Sequence, residues 1–339
     1  MNTILSLENS VSRLIAIVIS LFVIAETNAA GKYDNPDTLF VARDGSAEFR
    51  NVDDAIEVCR AFMDYHKVIF VKKGVYKEKL IIPSWLTNIE ICGEDRDSTI
   101  ITYDDHANIL DSFKGGNRIL TTFRTYTLKI EGQDITLKNI TIENNAARLG
   151  QAVALHTEGD RLLFINCRFL GNQDTVYTGV SGTRLYFKDC YIEGTTDFIF
   201  GASTAWFENC DIFCKINSYI TAASTTKDVK YGYVFNNCHV SVAEGVDKMY
   251  LGRPWRPYAY TLFMNCDLPA GINKTGWHNW NKKDNESTAR YYEYNNRGEG
   301  ATPDARVPWA KLLTKKEAEK ITVLEVMGTW NPLSDISAK

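Results

Sequence analysis

Asp174 and Asp197 each stand seven residues past a cysteine, Cys167 and Cys190. If those cysteines occupy equivalent places in successive turns of a repeating structure, the two carboxylates are neighbours. Like charges that close cannot both ionise as readily as isolated ones, so their titrations couple and one tends to keep a proton. Such a pair is a poor choice for stability and a good one for chemistry. Two alternatives stay open at this point: a solvated pair kept apart by side-chain rotation, and a calcium site.

The equivalence rests on a repeat. The chain contains FINCRF (164–169), FKDCYI (187–192), FENCDI (207–212), FNNCHV (235–240) and FMNCDL (263–268), and an earlier copy, LKNITI (137–142), carries Ile140 where the others carry cysteine. From Ile140 the slot recurs at Cys167, Cys190, Cys210, Cys238 and Cys266, at spacings of 27, 23, 20, 28 and 28 residues. Repeats of that length are single supersecondary units stacked on their neighbours. The Phe, Ile and Val enrichment favours strands, and both the 3.6-residue period of helical repeats and the leucine-rich frame are missing. The expected fold is therefore all-β, a parallel β-helix of about seven or more coils, with equivalent positions stacked about 4.8 Å apart. The unit from 140 to 167 is four residues longer than the one after it. If the extra residues fall in NNAARLG (144–150), the stack reads Gln151, Asp174, Asp197, with Gln173 beside its middle member.

Such a coil needs its ends covered, because open strand edges pair with other chains. In VDDAIEVCRAFM, Val52, Ala55, Ile56, Cys59 and Phe62 share one helical face, which predicts an amphipathic helix capping the first coil. LTKKEAEKI (313–321) predicts a short charged helix at the other end, and the polar stretch 273–306 is expected to form loops packed along the outside of the coil. No linker separates two folding units, so residues 31–339 are taken as one domain.

Residues 1–30 have the build of a signal peptide: Arg13, an apolar run from Leu14 to Ile24, then small and polar residues with cleavage near Ala29 or Ala30. A membrane anchor is the alternative, although the run is short for a span. The chain is thus expected to be exported, to the periplasm or the medium. Export would permit disulfides among the eight cysteines. Five of them share one slot, however, and a buried column of free thiols is the expected arrangement. A formal charge of −4 gives no reason to expect a nucleic acid or an anionic membrane as partner.

At these residues the sequence resembles the pectin methylesterases (pectinesterases). The matching segments are GVYKE (74–78), QAVAL (151–155), GNQDTVY (171–177), DFIFG (197–201) and LGRPW (251–255), in the family's order, within a similarity running from about Thr38 to Trp330. The resemblance implies a right-handed, single-stranded parallel β-helix of the pectin-lyase-like type. It also implies hydrolysis of galacturonate methyl esters in pectin, methyl-esterified homogalacturonan, by a monomer needing neither cofactor nor metal. By the same resemblance, Asp197 matches the nucleophile and Asp174 the general acid and base. Gln151 and Gln173 match the amides that stabilise the oxyanion, and Arg253 the partner of the nucleophile. Trp255, Phe198, Tyr177 and Thr122 match substrate-contacting positions, Thr122 less closely than the rest.

Other chemistries lack their residues. No G-x-S-x-G and no H-E-x-x-H occurs, and the five histidines are scattered at 66, 106, 156, 239 and 278. The Gly-His-Gly expected of a polygalacturonase-like hydrolase is missing. A lyase would want a calcium-binding carboxylate cluster, whereas one of these aspartates matches a position facing amides and an arginine. A pectin-binding β-helix of little activity, or an esterase for another ester, remains as the alternative.

Overall fold

The computed structural model describes residues 31–110 and 118–338, so the apolar run at 14–24 lies outside the described residues. Seven turns of the chain each leave one strand in each of three parallel sheets, and four further strands toward the ends join one of them, giving sheets of eleven, seven and seven strands. Leu162–Ile165, for example, pairs with Thr136–Lys138 on one side and Arg184–Lys188 on the other. This is a parallel β-helix, and one core runs through it from Leu39 to Tyr291.

Each position of the repeat has a separate physical task. The phenylalanines point inward and stack: ring centroids of Phe164, Phe187, Phe207, Phe235 and Phe263 follow one another at 4.4, 4.6, 4.3 and 4.4 Å. Burying each such side chain is worth about 1.5–3 kcal/mol. The Asn or Asp two residues later is where the chain turns from one sheet into the next. Asn139, Asn166, Asp189, Asn209, Asn237 and Asn265 all hold φ between 49° and 57°, a left-handed conformation that Asn and Asp tolerate best among residues with a side chain. Neighbouring turns are stitched together, as where Asn166 donates to Asn139 at 2.8 Å and Asn209 to Asp189 at 2.6 Å.

The cysteine that follows re-enters the core. All eight cysteines are free, and only Cys92 is partly exposed. Burial pushes the Cys59 thiol up to about 11 and raises Cys214 further. A thiol reagent is therefore expected to read about one cysteine in the folded protein and eight after unfolding without reductant. Recovering fewer than eight on unfolding would show disulfides in place of the column.

Two expectations need correction, and a third is met and extended. The first helix is shorter than its pattern, Val52–Glu57, and Phe62 lies beyond it, 73% exposed at φ 54°. The helix stops because the chain must return to the first sheet at Lys67, while Val52, Ala55 and Ile56 still cover the first coil. The stretch 273–306 holds more than loops: it contains a helix, Asp284–Thr288, and a strand, Arg290–Tyr294, that joins the eleven-stranded sheet. There Asn295 takes the left-handed turn at φ 48°, and Asn296 fills the cysteine slot. Finally, the short charged helix, Lys315–Ala318, is followed by two more, Val323–Met327 and Pro332–Ala338. Several residues on the outward face of the eleven-stranded sheet are apolar, among them Leu163, Tyr186, Trp206, Val234 and Leu262, and the C-terminal segment covers them with Met327 and Trp330.

Candidate active site

The two aspartates sit on adjacent coils at the same point of the chain path. Val176 pairs with Ile199, which aligns Asp174 with Asp197 two residues earlier. Both adopt the left-handed conformation, φ 68° and 50°, at the entrance to their strands. Their backbone N–H groups bond one coil onward, Asp174 to Thr196 O at 3.1 Å and Asp197 to Tyr219 O at 2.8 Å. Their side chains end in a groove of about 220 Å³ that also receives Thr122, Gln151, Gln173, Arg253 and Trp255.

Arg253 grips Asp197 with both arms of its guanidinium, Nε to Oδ1 at 2.9 Å and Nη2 to Oδ2 at 2.6 Å. The planar fork matches the carboxylate, and two aromatic faces fix the fork in turn. The guanidinium carbon lies 3.9 Å from the centroid of Tyr219 and 3.7 Å from that of Trp280. Asp174 has no such partner: among the described residues no donor reaches its carboxyl, and the residue as a whole is 7% exposed. Burial raises Asp174 well above the usual carboxylate range and the charge of Asp197 adds to this, with Arg253 opposing. Burial raises Asp197 as well, against the pull of the Arg253 hydrogen bonds and charge. Arg253 thus favours charge on Asp197 over Asp174.

Gln151 reaches the groove from another position than its spacing suggested. Ala152 N bonds Gln173 O at 3.0 Å, which sets Ala152 opposite Asp174 and Gln151 opposite Gln173. Leu155 nevertheless pairs with Val176, so the segment 152–155 holds one residue more than 174–176. The extra residue is a bulge, and the N–H groups of Ala154 and Leu155 share Thr175 O at 2.9 and 3.1 Å. The glutamines thus stand side by side on neighbouring coils, and among the described residues neither amide is taken up by a protein partner.

Phe198 does not line the groove. It is fully buried in the core, because the residue after the left-handed aspartate turns inward, as Thr175 does one coil earlier. Gly194 makes room for it: a Cβ there would stand 2.2 Å from Cβ of Phe198. Phe200, two residues on, faces the groove instead. Tyr177, its neighbour in register, lies tilted against it at 4.7 Å and extends the aromatic floor away from the aspartates. Trp255 stands 5.9 Å from Phe200 and 6.4 Å from Phe123. Phe123 and Thr122 arrive together on a single 3-10 turn, Thr122–Arg124.

Sequence reasoning missed Phe123, Phe200 and Trp280. The inward–outward alternation within DFIFG could have exposed Phe200. Nothing local marks Trp280, which comes from a loop 27 residues after Arg253. Among the described residues no group of three His, Cys, Asp or Glu is placed to hold a metal ion.

The pectinesterase family model matches residues 38–329. A protein named Pectinesterase 31 from Arabidopsis thaliana is 39% identical over 281 residues, which are 82% of this chain and 88% of that one. The chain spans only about half the length of other relatives named pectinesterase/pectinesterase inhibitor, 50% and 51% in two Brassica proteins. Among solved structures, a pectin methylesterase from carrot superposes with a TM-score of 0.79 at 31% identity, over 90% of this chain and 98% of that one. A pectin methylesterase in complex with a hexasaccharide superposes with a TM-score of 0.76 at 30% identity, over 87% of this chain and 98% of its own.

Proposed function

The chain belongs to the pectinesterase family, and from that premise we propose that it hydrolyses the methyl esters of galacturonate units in pectin, giving pectate and methanol. The observation that carries the proposal is the asymmetry of the aspartate pair, one clasped by Arg253 and one left without a donor. An anionic Oδ of Asp197 attacks the ester carbonyl carbon, and the negative charge passes to the carbonyl oxygen. The side-chain amides of Gln151 and Gln173 donate to that oxygen, a stabilisation that grows as the charge develops. Collapse breaks the bond from the acyl carbon to the methoxy oxygen, and methanol departs with the proton of Asp174. The acyl group now forms a mixed anhydride with Asp197. Water gives one proton to Asp174 and attacks the acyl carbon, which expels Asp197 as the anion and restores both aspartates, and the galacturonic acid formed loses its remaining carboxyl proton to solvent.

The aromatic floor supplies binding. Trp255 and Phe200 present flat faces suited to a sugar ring, in a fold whose relative holds a hexasaccharide. Because stacking acts alike on substrate and transition state, Trp255→Ala should raise KM by roughly threefold to tenfold and leave kcat within about twofold. An unchanged KM would remove Trp255 from the groove. On this reading the chain acts outside the cell as a monomer, delivered by its N-terminal segment.

The test is methanol and titratable acid measured together on highly methylated pectin, with ultraviolet absorbance followed in the same sample. Equal amounts of methanol and acid with flat absorbance support the esterase. Rising absorbance from an unsaturated product would mean a lyase, and binding without methanol would leave a carbohydrate-binding protein.

A further inference from the structure

The bulge at 152–155 leaves Val153 out of the regular ladder, so its N–H and C=O need partners elsewhere. Both are found in one buried knot behind the groove. Val153 N donates to Thr125 Oγ1 at 3.0 Å, and Thr125 Oγ1 in turn donates to Thr122 O at 2.8 Å. Val153 O accepts from Thr127 N at 3.1 Å and from Asn144 Nδ2, also at 3.1 Å. The same Nδ2 lies 2.9 Å from Asp105 O and 3.0 Å from Thr125 O. Asn144 Oδ1 accepts from Ala146 N at 3.0 Å, so the amide is fixed in orientation. Asn144 is 2% exposed and Thr125 fully buried.

One side chain therefore ties three backbone segments together: the loop at Asp105, the 3-10 turn that carries Thr122 and Phe123, and the bulge that sets Gln151 beside Gln173. Lys79 braces the first two from outside, with its ammonium on the Asp105 carboxylate and on Arg124 O, the latter at 2.6 Å. Bulges beside reactive centres re-aim a side chain, and this one re-aims Gln151 by one place. We propose that Asn144, with Thr125, is the positioning element of the amide pair: it holds the bulge closed and so aims Gln151 at the developing oxyanion. Neither residue touches the substrate. The inference rests on the esterase reading given above.

An oxyanion donor acts in the transition state, and a misplacement of about 1 Å can cost roughly a hundredfold. Asn144→Ala should thus lower kcat by roughly tenfold to a hundredfold and leave KM within about twofold. The deciding measurement is a double-mutant cycle with Gln151→Ala. If Asn144 acts through Gln151, adding Asn144→Ala to Gln151→Ala changes kcat less than about twofold. Thr125→Val, which keeps the shape and removes the hydroxyl, should behave the same way in the cycle, while Thr125→Ser stays near the parent. The Thr125 pair decides the question if Asn144→Ala does not fold. Losses that multiply independently in the cycle, or single variants with parental kcat, would overturn the positioning role. A Gln151→Ala variant with parental kcat would also overturn it, by removing Gln151 from the oxyanion site, whereas a parent that releases no methanol would overturn the esterase reading from which it starts.

Discussion

Asp197→Ala is expected to cut methanol release from pectin by at least roughly ten-thousandfold, because removing a nucleophile costs about as much as removing the whole catalytic group. No second group can take its place. Burial and, in the parent, the charge of Asp197 push the neighbouring carboxyl, Asp174, toward its protonated form, and an acid is a poor nucleophile. The replacement also strands Arg253, 19% exposed in its side chain, between Tyr219 and Trp280 without its counter-ion. Pectin binding should survive, since the aromatic floor of Phe200, Tyr177 and Trp255 is untouched. A variant that binds pectin normally and releases no methanol places Asp197 in the chemistry. Asp197→Asn, which keeps the shape and a hydrogen-bonding oxygen for Arg253, should be as inactive.

Asp174→Asn is expected to lose roughly a hundredfold to ten-thousandfold in kcat, the span attributed to general acid–base catalysis. It should also change the shape of the pH profile. In the parent, activity is expected to fall at low pH as Asp197 takes up a proton and at high pH as Asp174 loses one. An amide cannot lose that proton, so the residual activity of Asp174→Asn should keep the acid limb and lack the alkaline one. Stability supplies a second readout. A carboxyl whose folded pKa is raised above its unfolded value binds more protons when folded. Its contribution is fully present below the unfolded pKa and is lost as pH rises through the folded pKa. Asp174→Asn should therefore raise the melting temperature relative to the parent at alkaline pH and lose that advantage at acid pH. A parental alkaline limb in the variant would assign the proton to another group.

What the sequence disclosed and what it hid follow from how each position is read. The repeat was legible because one chain position, the left-handed turn between sheets, admits few residues and so returns as Asn or Asp each time, with Phe before it and Cys after it. From that register the two aspartates could be placed on adjacent coils without further help. The register failed at Gln151, because a one-residue bulge leaves no mark in the sequence and is fixed by distant partners, Asn144 and Thr125. Phe198 was misplaced for a related reason. Two phenylalanines flank Ile199, and only the direction the chain takes after a left-handed Asp197 decides which one faces out. The last coil was missed because Asn296 stands in the cysteine slot and Glu293 in the phenylalanine place. That buried carboxylate is paired with Arg306, whose Nε lies 2.7 Å away, and also accepts from Trp277 and Asn296. Trp280 had no local signal at all, since its task is to back Arg253 from a remote loop.

Covalent catalysis by Asp197 is tested most directly by stopping turnover in acid and weighing the peptides. Parent enzyme mixed with a short methyl-esterified oligogalacturonate, quenched within one turnover and digested, should yield a peptide containing Asp197 heavier by the oligogalacturonyl acyl group. Adding hydroxylamine before the quench should remove that mass by cleaving the anhydride, and Asp197→Ala should never acquire it. Acylation of another residue, or methanol release by Asp197→Ala at near the parental rate, would contradict the account.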